Sequence, residues 1–166
     1  MQVLNIRVDD RLVHGVVATN WIPRLRVDRA VVIDKESANN QMLKSVLRMA
    51  TPKNVNLSVI TVEKALENFK VNKYGNEKLI IVVKSLKPII ELLEAGFPVE
   101  DLVIGNLGNQ EKDETTVKLT KYVSVNSEII PQIKKVNEYG THIVAQLIPE
   151  DDAEVVIELM KKKELL

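Results

Sequence analysis

Arg7, Asp9, Arg11 and His14 fall close together near the start of the chain, in the run Arg7-Val8-Asp9-Asp10-Arg11-Leu12-Val13-His14-Gly15. A neutral imidazole is a nucleophile near physiological pH. Asp9 can accept the N–H of one ring nitrogen, which fixes the tautomer and leaves the other nitrogen free to attack. Arg11 can neutralise phosphoryl oxygens, bidentately if the geometry allows. The run Gly15-Val16-Val17-Ala18-Thr19-Asn20-Trp21 contains no proline, so a helix can begin there and offer its first N–H groups to an anion. Positioning and charge stabilisation are most of what phosphoryl transfer requires. The central expectation is that His14 carries a phosphoryl group. On composition alone His14 also fits a partly buried, hydrogen-bonded histidine, Asp9 an Asx turn, and Arg11 a surface cation.

The elements around this run must place it. Leu4, Ile6 and Val8 alternate with period two, which predicts a strand with the three on one face. Pro23 limits the following helix to a few turns. Ala30-Val31-Val32-Ile33 reads as a strand covered on both faces. A helix capped by Ser37 or Asn39 follows, with Met42, Val46, Met49 and Ala50 at helical spacing, and Thr51-Pro52 ends it. Further strands are expected at 57–62, 79–83, 102–104, 122–125 and 142–147. Between them lie helices carrying Ala65, Leu66 and Phe69; Ile89, Ile90, Leu92 and Leu93 after a Ser85 cap; and Ile129, Ile133 and Val136. Asp151 or Asp152 opens a last helix through Val155, Val156, Leu159 and Met160, with Lys161, Lys162 and Lys163 at its end. Strands alternating with helices predict an α/β fold, an open and mainly parallel sheet of about seven strands with helices on both faces. With no linker or repeat, residues 1–166 read as one domain.

In such sheets ligands gather beyond the carboxyl ends of the strands. Parallel strands would bring three loops to one edge: Arg7 to His14, Lys84-Ser85, and Asn106-Leu107-Gly108-Asn109. Gly15 serves either a close approach of phosphate or simply the turn. Trp21 reads as core and His142 as a structural histidine in an apolar strand. Two histidines and no cysteine make a transition-metal site an unpromising reading. Gly105 and Gly108 lack dinucleotide-fingerprint spacing and no phosphate loop is present, so a nucleotide-binding enzyme has no motif behind it.

Lys+Arg and Asp+Glu number 23 each, a balance that argues against nucleic-acid binding through a broad basic surface. The absence of cysteine excludes disulfides and thiol catalysis. The opening residues read as a strand interrupted by Arg7 rather than a signal peptide. No apolar run approaches the ~20 residues of a membrane span. A cytoplasmic protein that meets a membrane only through partner subunits is expected.

The run from Arg7 to Val17 resembles the IIB components of the mannose/sorbose family of the sugar phosphotransferase system. The family pattern is Arg-[Ile/Val]-Asp-x-Arg-[Leu/Phe]-[Ile/Val]-His-Gly-Gln-Val. The resemblance extends through Trp21, the segment from Lys44-Ser45 to Ala50-Thr51-Pro52, and Asn106-Leu107-Gly108, over nearly the whole chain. It implies a phosphohistidine carrier in which His14 takes a phosphoryl group from a IIA phosphodonor protein. His14 would pass it to a sugar substrate during uptake through the membrane IIC and IID components. It implies phosphate on Nδ1, with Asp9 and Arg11 beside it; Gly15 at the helix start and, from the converging loops, Arg7, Lys84, Ser85, Asn106 and Gly108 are candidate contacts. It implies no metal or organic cofactor and is compatible with a homodimer. The chain departs from the family at Val16, where Gln is usual; at Leu43, where many members carry Arg; and at Asn109, where the loop has a second Gly. Val16 and Leu43 motivate an alternative, a phosphorylation-responsive regulatory or binding subunit that phosphorylates no sugar.

Overall fold

The computed structural model describes residues 1–166. In chain order it forms β1 (Gln2–Asp9), a π-helical segment (Val17–Trp21) running into α1 (Ile22–Leu25), β2 (Arg29–Ile33), α2 (Lys35–Ala38), α3 (Gln41–Ala50) and β3 (Asn56–Ile60). Next come α4 (Val62–Lys70), β4 (Lys78–Val83), α5 (Leu86–Glu94), β5 (Asp101–Asn106), β6 (Val117–Lys118) and β7 (Ser124–Val125). The chain closes with α6 (Ile129–Glu138), β8 (His142–Ala145), β9 (Glu154–Val155) and α7 (Val156–Lys162). Seven strands make one sheet in the order β3-β2-β4-β1-β5-β8-β9. All neighbours are parallel except β9, which runs antiparallel to β8.

The central strands are apolar throughout because both faces are covered. Leu79, Ile81 and Val83 of β4 pack into a larger core with residues of α4, α5, α6 and α7. Ile80 and Val82 pack on the other face with Val17, Trp21, Ile22 and Leu47. The α/β sheet with helices on both faces is therefore as the sequence predicts.

Several local expectations are corrected. An extra residue at Leu4 shifts the β1–β4 register between Val3 and Asn5. Leu4 accordingly packs with the smaller core while Ile6 and Val8 lie in the larger one; a bulge resets strand alternation. Residues 122–125 do not supply a strand of the main sheet: β7 pairs with β6 in a separate two-stranded ribbon, a single parallel bridge joins Val123 to Leu107 just past β5, and β9 is the seventh strand. Asp34 caps α2 and Asn40 caps α3 through their side chains, whereas Ser37 donates its hydroxyl to Asp34. Ser85 occupies the N-cap of α5 without a side-chain hydrogen bond. The last helix begins after β9, not at Asp151 or Asp152. Met42, Val46 and Met49 are 75%, 56% and 86% exposed, and Leu47 is the α3 side chain that is buried.

Candidate functional site

Arg7 to His14 leave the carboxyl end of β1, at the middle of the sheet. The chain after β1 travels to β2, beyond β4, and the chain after β5 travels to β8 on the opposite side. Adjacent strands that send their connections in opposite directions open a crevice between them. There Asp9 is in register with Asn106, and the Asp10 N–H donates to the Asn106 carbonyl at 3.1 Å.

The turn after β1 is held from below. Leu12 has φ 57°, a left-handed conformation that costs an L-residue about 1–2 kcal/mol. Leu12 and Val13 are both buried in the smaller core, and the Leu12 N–H donates to the Asp9 carbonyl at 2.9 Å. Apolar anchoring thus offsets the strain and fixes where the next residues point. Helical bonding follows at once, the Ala18 N–H donating to the His14 carbonyl at 2.9 Å.

Asp9 is the hub. Its carboxylate is inaccessible to solvent. One oxygen, Oδ1, accepts from the Arg11 backbone N–H at 3.0 Å and from Arg11 Nε at 3.3 Å. The other, Oδ2, lies 2.9 Å from His14 Nε2. Burial pushes the Asp9 carboxyl up, but the hydrogen bonds from His14 and Arg11, with their charges, more than reverse this and hold it below its ordinary value. An ionised Asp9 only accepts, so Nε2 carries a proton, and in the neutral imidazole it is Nδ1 that holds the lone pair. The Val16 N–H approaches Nδ1 at a long 3.4 Å, a weak contact that a new bond at Nδ1 would displace. His14 keeps 20% of its side chain exposed and Arg11 39%. A Cβ on Gly15 would meet nothing within 4 Å, so the space beside it is open and the chain itself does not demand glycine. The arrangement is a nucleophilic ring nitrogen, oriented from behind by a carboxylate and flanked by an accessible guanidinium.

Asp10, adjacent in sequence, has the opposite environment. Burial and the Asp9 charge raise its carboxyl above the ordinary range, with Arg11, His14 and Lys84 opposing. Asp10, Lys84, Ser85 and Gly108 line one cavity of about 350 Å³ beside the turn. Three loops therefore do meet at one sheet edge, as parallel strands require. Lys84 is exposed and lies 3.5 Å from Glu36.

Arg7, expected as a loop contact to the ligand, has no surface to offer one. It is fully buried under the turn, its Nη2 donating to the carbonyls of Gln146 at 3.0 Å and Leu147 at 2.9 Å. Trp21 is core, as expected, and its ring also faces the Arg7 guanidinium at 4.3 Å. Sequence reasoning missed Gly105, whose Cβ would sit 2.1 Å from Arg7 Nη2. An isolated glycine inside a strand was the available signal for that close approach. Gly108 has φ +74° and faces the Ser124 carbonyl so closely that a side chain cannot fit. Asn109 donates to both Asn106 Oδ1 and the Tyr122 carbonyl, tying the β5 loop down. His142 stands at the other end of the sheet, exposed and 3.1 Å from Asp101.

The PTS system sorbose subfamily IIB component family matches residues 3–166. The PTS system fructose-specific EIIB component of Bacillus subtilis is 26% identical over 161 residues, covering 97% of each chain. The PTS system mannose-specific EIIAB component of Escherichia coli is 27% identical across 94% of this chain but only 47% of its own length. The crystal structure of the IIBSor domain of the sorbose permease from Klebsiella pneumoniae superposes with a TM-score of 0.88 over 98% of both chains, at 22% identity.

Proposed function

The chain belongs to the sorbose-subfamily IIB components of the phosphotransferase system, and on that premise we propose that His14 is its phosphoryl acceptor and donor. Membership gives it a phosphotransfer role in sugar uptake, alongside IIA and membrane IIC/IID partners. The carrying observation is the 2.9 Å contact between Asp9 Oδ2 and His14 Nε2, which leaves Nδ1 as the free nucleophile.

In the first transfer Nδ1 attacks phosphorus on the IIA donor, and the donor's bond to phosphorus breaks as the Nδ1–P bond forms. Asp9 stabilises the positive charge that grows on the ring, and Arg11 neutralises the phosphoryl oxygens. In the second transfer a sugar hydroxyl oxygen takes the phosphoryl group, the Nδ1–P bond breaks, and the hydroxyl proton passes to solvent. The relative from Escherichia coli is named as a joined A and B component, which supports a IIA protein as the donor. Relatives named for fructose and mannose differ in their sugar, in keeping with selection by the membrane subunits. Residues 1–166 act here as one IIB unit that reaches the membrane through IIC and IID.

Incubation with the general phosphotransferase components and IIA should label the protein with acid-labile, alkali-stable phosphate. No label on wild type, or equal label on His14→Ala, ends the reading. The regulatory alternative draws on Val16, whose side chain packs against the smaller core and brings no polar group to the phosphoryl site. Steady sugar-phosphate production with IIC and IID present rules that alternative out.

A further inference from the structure

Arg7 reaches neither His14 nor solvent. It lies on the face of β1 opposite Ile6 and Val8, with no exposed surface. The Leu147 carbonyl that accepts from its Nη2 also accepts from Trp21 Nε1 at 2.7 Å. Trp21 covers the guanidinium on one side, and glycine at 105 leaves room for it. Two of its nitrogens, Nε and Nη1, are buried with no hydrogen-bond partner.

A cation held this way is a poor choice for stability alone. Two neutral carbonyls do not replace the lost hydration of a guanidinium, and an apolar side chain of similar volume is often as stable or better. Burial pulls the Arg7 pKa down to about 10, with the Asp9 charge acting against that fall and the Arg11 charge adding to it. The attraction to Asp9 is mutual. Alternation puts the two side chains on one strand face, about 7 Å apart along the strand.

Asp9 is faced by several charged groups. The turn supplies His14 and Arg11, β1 supplies Arg7, and Asp10 adjoins it. Lys84, after β4, acts on Asp10, and β5 offers Asn106, which is uncharged. Arg11 is 39% exposed and therefore open to screening by water and salt, whereas sealed charges are screened far less.

We propose that Arg7 is a positioning residue for the phosphohistidine: a sealed counter-charge that keeps Asp9 ionised behind His14 and offsets the negative charge His14 gains with the phosphoryl group. This rests on the reading of His14 as the acceptor. Arg7 touches no phosphoryl oxygen and acts through Asp9 and through the field it sets in a dry interior.

The test compares Arg7→Met, which removes the charge, with Arg7→Lys, which keeps it and weakens the grip on the two carbonyls. The Asp9 carboxyl is titrated by carbon-13 NMR in the unphosphorylated protein. The equilibrium constant for phosphoryl exchange with IIA is measured separately, and the Trp21 Nε1–H resonance reports whether the buried clasp has formed. Arg7→Met should move the Asp9 titration to higher pH and lower the equilibrium constant at least tenfold, with Arg7→Lys near wild type in both.

An unmoved Asp9 titration in Arg7→Met overturns the proposal. So does a Lys variant that loses as much as the Met variant, because the clasp alone would then explain the effect. If Arg7→Met fails to fold, Arg7→Lys decides: wild-type values support the counter-charge, and a shifted Asp9 titration in a folded Lys variant overturns it. The Asp9 titration needs no donor protein. A wild type that takes no phosphate therefore defeats the proposed function and leaves the role of Arg7 to be decided by the titration.

Discussion

Asp9 holds His14 by Nε2 at 2.9 Å while its second oxygen is occupied by Arg11. The carboxylate has no freedom to turn away, so the imidazole is fixed in one tautomer and one orientation. Asp9→Asn keeps the shape and removes the charge that steadies the ring. Phosphorylation of His14 should slow by about 100-fold, near the lower end of what a positioned acid–base partner contributes. Single-turnover transfer from IIA measures it.

Arg11 is bound to Asp9 by its backbone N–H as well as by Nε, and much of its side chain faces solvent. Arg11→Ala keeps the backbone bond. Its loss of stability should stay under about 1 kcal/mol, the range of exposed ion pairs, while transfer falls at least about tenfold through lost charge stabilisation. Urea denaturation beside transfer kinetics separates the two effects. An unchanged transfer rate would show that Arg11 is no phosphate ligand.

Asp9 and Asp10 should give opposite pH signatures. The Asp9 carboxyl is lowered on folding, so it stabilises the protein above the ordinary carboxylate pKa, and that stability is lost as pH falls through the lower folded value. The Asp10 carboxyl is raised, so its ionised form opposes folding at neutral pH and ceases to do so as pH drops through the raised value and below the unfolded one. Melting curves between pH 7 and pH 3 should show Asp10→Asn above wild type at pH 7, with the gain vanishing in acid. Asp9→Asn should melt below wild type at pH 7.

Gly105→Ala places a methyl group 2.1 Å from Arg7 Nη2. A long side chain would ordinarily swing aside, but Trp21 and the Gln146 and Leu147 carbonyls enclose this one. Overpacking of this kind should cost about 1–3 kcal/mol, read from the urea midpoint, and should shift the Trp21 indole resonance.

On α3, Leu47→Ala should cost about 2–5 kcal/mol, as expected for a buried leucine. Met49→Gln, at a position 86% exposed, should change stability by less than about 0.5 kcal/mol. Paired denaturation curves check both. A large loss at Met49 would mean that the stripe with Met42 and Val46 is covered in solution.

The sequence by itself determined the alternation of strands and helices, the doubly covered strands, and the neighbourhood of Asp9, Arg11 and His14. Those are local facts: apolar runs, turn residues, and side chains a few positions apart on one turn. It could not determine which strands neighbour one another, because pairing is settled by competition among distant segments. That is why Ser124 and Val125 pair with β6 and the edge position of the main sheet goes to β9. It could not place Leu4 or the stripe of Met42, Val46 and Met49 correctly either. A bulge is set by the partner strand's register, and periodicity marks a helix face without saying what lies against it. The residues by themselves left open which ring nitrogen of His14 meets the carboxylate; tertiary structure brings Nε2 to it and leaves Nδ1 turned away. Arg7 shows the same division: its place in the motif was legible, and only the carbonyls of residues 146 and 147, the indole of Trp21 and the bare backbone at Gly105 turned it from a loop contact into a buried charge.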